Sequence, residues 1–427
     1  MYKLIFTALI TFAISAGLMA QGRVGSPYTR YGIGDINNST LIRNNSMGGL
    51  SYTLPYHDNI NFINPAGTGG IDSLTFIFDF GVNGGARMYQ IENPESFNTK
   101  TDFQLSHLLF GFQVAKWWKT SMGVMPFSNV GYSIIANDTL LGVDKDYMFA
   151  GNGGVTRVMW NNSFTPFKNF TVGLNAYYNF GKFYQSNGIK FNDDSGAFLN
   201  VIEQNIIRVS DFSFDAGLLY TININAKNDL SLGLVYGHNT ALNSYRSTII
   251  YNTLSVGSSA ITDTVFQSNQ ESGTVGLPQK FGFGIGYQYN KSMFVGVDYT
   301  IQNWNNTQFF GITDSLKNSS FLSLGFEYLP AGRNGNFYKY NQGISYRAGL
   351  YFNESYFKLS SGQVPISDFG ISFGLGLPMK RSKTSFNLSL QIGQRGSLNN
   401  NLIKENYAIF GLSFNLAEMW FVKSKFD

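Results

Sequence analysis

The stretch KFGFGIGYQYN, residues 280–290, decides the fold. Phe281, Phe283, Ile285, Tyr287 and Tyr289 stand at alternate positions, with Gly282, Gly284, Gly286, Gln288 and Asn290 between them. Successive side chains of a strand point to opposite faces, so this segment has one apolar face and one small, polar face. The next segment repeats the pattern, with Met293, Val295, Val297, Tyr299 and Ile301 opposite Gly296, Asp298, Thr300 and Gln302. Phe369 to Leu377 and Ala408 to Asn415 do the same. The run of such segments without helical periodicity makes the chain all-β. A soluble sandwich also alternates, so loop lengths and composition have to separate it from a barrel.

Fourteen strands are expected, beginning near Leu74, Gln104, Ser121, Tyr147, Phe170, Arg208, Leu230, Lys280, Met293, Phe321, Ser345, Phe369, Ser385 and Asn406. The connections alternate in length. Those at 115–120, 165–169, 225–229, 289–292 and 379–384 are short; 85–102, 135–146, 185–207, 244–278, 308–319, 354–367 and 394–405 are long. The turn at 330–343 is longer than this rule asks. Short turns at one end and long loops at the other describe a transmembrane antiparallel β-barrel of the outer-membrane type.

Composition agrees. Charged residues make up 13% of the chain, aromatics 16%, and there are 47 glycines. A soluble protein carries about a quarter charged residues. Trp117, Trp118, Trp160, Trp304 and Trp420 are expected at strand ends, where an indole meets the membrane interface. Lys116, Lys119, Lys168, Lys227, Lys291, Lys380, Arg381 and Lys383 make the short turns basic, as do Lys423 and Lys425 at the end. This rim suits either anionic lipid head groups or ordinary turn chemistry. The long loops lean acidic through Asp138, Asp144, Asp146, Asp193, Asp194, Asp263 and Glu271. The formal charge of +4 is too small and dispersed for nucleic acid. The terminal MWFVKSKFD, 419–427, is an aromatic amphipathic end suited to barrel-insertion machinery.

Residues 1–20 read as an export signal, with Lys3 ahead of the apolar run Leu4–Leu18 and a cut after about Ala20. At about 15 residues the run is short of the ~20 needed to span a bilayer. The sequence contains no cysteine, which excludes disulfides and a lipid-modified amino terminus. The expected destination is the outer membrane of a Gram-negative cell, with outer-membrane lipid as surroundings.

Residues 21–72 do not alternate. They contain SPYTRYGIGD (26–35), RNNSMGGLSYTL (43–54) and NFINPAGTGG (61–70). Glycine-rich irregular backbone can be satisfied in a wet lumen, so this segment is expected to be a hatch or plug inside a barrel formed by 73–427. Arg43–Gly49 followed by Asn64, Pro65, Ala66 and Gly67 resembles the amino-terminal hatch of FadL-type hydrophobic-compound transporters and their relatives, including PorV-type barrels. VMPFSNVGYS (124–133) resembles that family's third strand, and VGLPQKFGFGIGY (275–287) a mid-barrel strand entry. The opening SPYTRYGIGD departs from the fatty-acid transporters and marks a divergent branch.

The resemblance implies a plugged fourteen-stranded barrel that takes up hydrophobic ligand and lets it leave sideways at a kinked third strand. Here that kink would involve Pro126, Phe127, Ser128 and Asn129. Proline belongs at a bulge or an edge because it lacks a ladder donor. The alternative implied by the PorV relatives is a non-transporting barrel serving as a subunit or scaffold of a secretion or assembly complex, with protein partners on its long loops.

Nothing points to catalysis, a metal or a cofactor. His57, His107 and His238 lack metal-ligand spacing, and Ser106 beside His107 should point to the opposite face. GVNGGA (81–86) and GNGGV (151–155) are followed by no helix that would complete a phosphate cradle, and read as strand-end glycines. Parity points Ile77, Tyr177 and Tyr351 inward, too scattered to define a pocket.

Overall fold

The computed structural model describes residues 25–37, 41–54, 57–92, 95–140, 143–192, 198–254, 263–312, 316–332, 339–357, 366–379, 383–398 and 402–420. The export signal, Asp193, Asp194, Lys380, Arg381 and residues 421–427 lie outside these. The chain is a closed antiparallel barrel of fourteen strands. We number them β1 Thr75–Ile91, β2 Ser96–Ala115, β3 Trp118–Leu140, β4 Val143–Phe167, β5 Phe170–Phe191 and β6 Asn200–Asn225. Strand β7 comprises Asn228–Gly237 and Thr240–Thr253, and β8 comprises Asp263–Leu277 and Gln279–Tyr289. The remainder are β9 Met293–Asn303, β10 Ser319–Tyr328, β11 Ser345–Glu354, β12 Ser367–Pro378, β13 Ser385–Arg395 and β14 Lys404–Met419. β14 pairs with β1 from Lys404↔Gln90 to Met419↔Thr75, which closes the wall.

Closure leaves the apolar faces to lipid. Phe283, Ile285 and Tyr287 are exposed, while Gly282, Gly284 and Gly286 face inward against Tyr52 and Thr53. Strands β9 to β13 are ten to twelve residues long, enough to cross the hydrocarbon at a tilt. Strands β1 to β8 run well past that height. Most of the segments expected as loops at 85–102, 135–146, 185–207 and 244–278 are therefore strand. Stretches such as NVIEQNIIRV (200–209) and YRSTIIYNT (245–253) favour strands through their β-branched and aromatic residues, yet no lipid imposes a clean apolar face there.

Two smaller expectations change. Trp117, Trp160 and Trp420 are exposed, and Trp420 stacks on Phe76 at 4.1 Å. Trp304, one residue past β9, is instead fully buried and stacks on Tyr356 at 4.2 Å, because the chain turns inward over the barrel mouth. The glycines of 81–86 and 151–155 sit mid-strand, not at strand ends.

At the turn end of the barrel, Asp72 lies 3.3 Å from His57 Nδ1, which also stands 2.9 Å from Gly70 O, and accepts from Lys383 Nζ at 2.5 Å. The bond from His57 and then Lys383 hold its carboxyl at about 2, below the usual carboxylate value. A depressed folded value stabilises the protein above the ordinary carboxylate range and is lost as pH falls through it. We expect a small fall in Tm between about pH 4 and pH 2 that Asp72→Asn abolishes, measured by acid titration in detergent. The effect is small because the group is partly exposed and screened.

Candidate functional site

Most described residues of 25–37, 41–54 and 57–71 are buried, with His57 exposed, and they bond to inward-facing groups around the wall. Three stretches make the anchors. The first is Leu41–Leu54. Its helical turn Ile42–Asn45 carries Arg43, whose guanidinium donates to both carboxylate oxygens of Glu327 at 3.1 and 3.2 Å. Glu327 also receives Arg347 Nε at 3.3 Å, so the buried charge is compensated. Asp298 Oδ2 accepts the backbone N–H groups of Ser51 and Tyr52 at 2.5 and 2.7 Å. A Cβ on Gly349 would stand 2.2 Å from Gly48 N, so only glycine lets the two backbones approach.

The second anchor is the Asn64–Gly67 turn, which opens a 3₁₀ helix over Pro65–Gly70. Asn64 Oδ1 accepts from Ala66 N at 3.0 Å, and its Nδ2 donates to Tyr52 O and Leu218 O at 2.7 and 3.1 Å. Pro65 O accepts from Asn161 Nδ2 and Ser163 Oγ at 2.9 and 2.6 Å. Proline at the first helical position costs no donor, and the asparagine caps it.

The third anchor is Gly25–Asn37. Gly131 N donates to Thr29 Oγ1 at 3.0 Å, and Ser26 Oγ donates to Glu405. Asp35 and Ile36 pair with Asn129 and Ser128 as a two-residue strand along β3. Asn37 donates through N to Phe127 O and through Nδ2 to Pro126 O. From the other side, Arg395 Nη1 donates to both oxygens of Asp35 at 2.8 Å, and Arg395 Nη2 reaches Asp368 at 3.3 Å. Asp35 is thus tied to β13 across the lumen while its backbone lies on β3.

The wall beside this strand is incomplete. β2 and β3 pair from Ala115↔Trp118 to Leu108↔Val124, and beyond that no ladder joins them among the described residues. A bulge flanks the break on each strand. In β2 Ser106 is the extra residue against β1, between Gly81↔His107 and Val82↔Leu105. In β3 it is Phe127 against β4, between Pro126↔Thr156 and Ser128↔Val155. Opposite the second bulge Gly153 and Gly154 take φ of +113° and +153°. A Cβ on Gly154 would meet Ser128 O at 2.2 Å, so the bend requires glycine. Pro126, Phe127, Ser128 and Asn129 all lie at this break, far along the chain from Asn64–Gly67.

The bulge at Ser106 also overturns its expected orientation. The extra residue shifts the parity, so Ser106 and His107 both point inward, with Ser106 Oγ 3.2 Å from His107 Nδ1. His107 Nε2 lies 3.2 Å from Asp79 Oδ1. Both residues are sealed, at 2% and 0% exposure, which denies a substrate access. Among the described residues no group of three or more His, Cys, Asp or Glu is placed to hold a metal.

Behind the break lies a cavity of about 120 Å³, bordered on that side by Ile36, Phe62, Met125, Pro126 and Phe127 and elsewhere by polar and charged groups, Arg157, Asp215, Lys280 and Asp298 among them. An engineered apolar cavity of about 150 Å³ takes benzene, so the scale is that of one small ring. The Arg157 guanidinium lies 3.3 Å from the centroid of Phe127 and 4.6 Å from that of Tyr177, and Nε donates to Asn179 at 2.6 Å. Above the cavity the lumen is packed with apolar side chains, Tyr28, Val155, Phe183, Trp304, Tyr356 and Phe357 among them. Sequence reasoning missed Asp35, Arg395, Arg157 and the role of Asp298. Asp298 had left a signal, a carboxylate on an inward face otherwise made of Gly, Thr and Gln.

Solved structures share this architecture. A FadL homologue from Pseudomonas aeruginosa aligns with a TM-score of 0.61 and 12% identity, over 89% of this chain and 99% of its own. The Pseudomonas putida toluene transporter TodX gives 0.60 and 13% over 92% and 99%. The CymD monoaromatic hydrocarbon channel gives 0.58 and 12% over 88% and 97%. At these identities the likeness concerns the fold. No curated protein matches the sequence. The BamG family matches from the first residue to the last, 1–427, and the chain is a member of the BamG family.

Proposed function

We propose that this protein is an outer-membrane barrel that passes small hydrophobic molecules from its lumen sideways into the membrane, with residues 21–72 as the plug and 1–20 as the signal that exports it. The observation that carries the reading is the position of the cavity. Met125, Pro126 and Phe127 border it and directly follow Val124, where the ladder between β3 and β2 ends among the described residues. The fold neighbours named as toluene and monoaromatic hydrocarbon carriers share the barrel fold, and a cavity of about 120 Å³ is on the scale of one small ring. In this reading Asp35–Asn37 covers the opening and must move for ligand to pass.

The test uses the absence of cysteine. Ile36→Cys with Ser128→Cys places two thiols at partnered positions of the covering strand and β3. Oxidation should abolish entry of toluene into proteoliposomes or cells, and reduction should restore it. Uptake unchanged by oxidation defeats the lateral route.

A second reading, a scaffold within a multi-protein outer-membrane assembly, is favoured by the packed upper lumen. It predicts no toluene entry in the reduced protein either, together with stable co-purifying partners. In both readings barrel-insertion machinery places the chain.

A further inference from the structure

We infer that the wedge between β2 and β3, above the apolar belt, is a docking site for one extended strand of a second polypeptide. At Leu108↔Val124 the two strands are bonded neighbours, about 4.8 Å apart. Above that pair no ladder joins them among the described residues, so each strand has an edge along which another strand can be added. The chain itself shows what such an edge accepts. Asp35–Ile36 is seated there as a strand against Asn129 and Ser128, just above the last β2–β3 pair.

Beyond this filler both lips continue. Phe97–Asp102 of β2 pairs only with β1, and Tyr132–Thr139 of β3 pairs only with β4, among the described residues. Among the described residues, the alternate N–H and C=O groups on the gap side of each lip have no ladder partner. Exposed edges of native proteins are usually guarded by proline, lysines or bulges. Here neither lip contains proline, their charges are Lys100, Asp102 and Asp138, and the bulges at Ser106 and Phe127 lie below them. Phe97 and Ile135 stand on the outer face of the two lips, at 58% and 62% exposure.

An incoming strand with apolar residues at alternate positions on that face would pack between them, while its backbone supplies the absent bonds. This is strand addition, in which main-chain bonds give affinity and alternate side chains give selectivity. The strands β9 to β13 mark the height of the belt. The lips rise above it, so the occupant reaches them from water. The site is separate from the cavity at Met125–Phe127 and stands whether or not that cavity conducts.

The test is a register scan in the native membrane. A photoreactive benzoyl-phenylalanine replaces Thr101, Thr99 and Phe97 in turn, then Ser133, Ile135 and Asn137, in the full chain, with heat-modifiable mobility reporting barrel folding. The cross-linked residue on the partner is mapped by mass spectrometry. A docked strand gives one partner segment whose cross-linked position advances two residues for each two-residue step of the probe. The advance has the same direction for the series 101, 99, 97 as for 133, 135, 137. Adducts to lipid alone, adducts to a protein without this stepping, or no adducts overturn the proposal.

Discussion

Replacing Arg395 by methionine is expected to release the amino-terminal segment from the wall while the barrel stays closed. Arg395 bonds bidentately to Asp35 and also to Asp368, and Glu405 lies in the same cluster with Arg87 at 3.9 Å. Methionine fills similar volume but leaves half-buried Asp35 and buried Asp368 without the Arg395 cation. Breaking one side of a buried ion pair costs about 3–5 kcal/mol. The cheapest relief is for Asp35 to leave for water, taking Ile36 and Asn37 off β3. Residues 25–37 should then be cut by added protease in the purified protein, while the barrel keeps its heat-modifiable mobility. Asp35→Asn with Arg395→Met should recover part of the lost stability, because the orphaned charge is gone. A protease pattern equal to that of the unaltered protein would show that Asp35 does not hold the segment.

The cluster shows why this part of the molecule escaped the sequence. The barrel was legible because its physics is periodic: lipid dictates an apolar residue at every second position, and KFGFGIGYQYN shows it without reference to any other strand. The strands above the belt were not legible as strands, because water imposes no such period on Asn200–Val209 or Tyr245–Thr253 and only pairing with neighbours reveals them. Asp35 and Arg395 are 360 positions apart. Their contact depends on closure of the wall, which no local pattern encodes. Pro126 was readable because proline carries its own restriction, whereas the partner bulge at Ser106 has no residue signature and surfaces only as a register shift against β1.

The NPAG turn was readable as a turn, but what holds it was not, and this leads to the second large effect. Gly173 on β5 faces the turn, and a Cβ there would stand 2.1 Å from Pro65 C and 2.3 Å from Ala66 N. These are backbone atoms of a buried 3₁₀ helix, so no side-chain rotation relieves the overlap. Gly173→Val is expected to expel the turn, breaking the bonds from Asn161 and Ser163 to Pro65 O and from Asn64 to Leu218 O. Overpacking alone costs about 1–3 kcal/mol, and each buried acceptor left unsatisfied adds about 1–3 kcal/mol. The neighbouring Leu174 points to lipid, so Leu174→Val is the control and should change little. Amide exchange at Ala66 and Gly67 is the measurement. It should rise to the rate of an open loop in the Gly173 variant and stay protected in the control. Unchanged protection in the Gly173 variant would show that the wall yields instead of the turn, and the turn would then be held by more than its fit to that glycine.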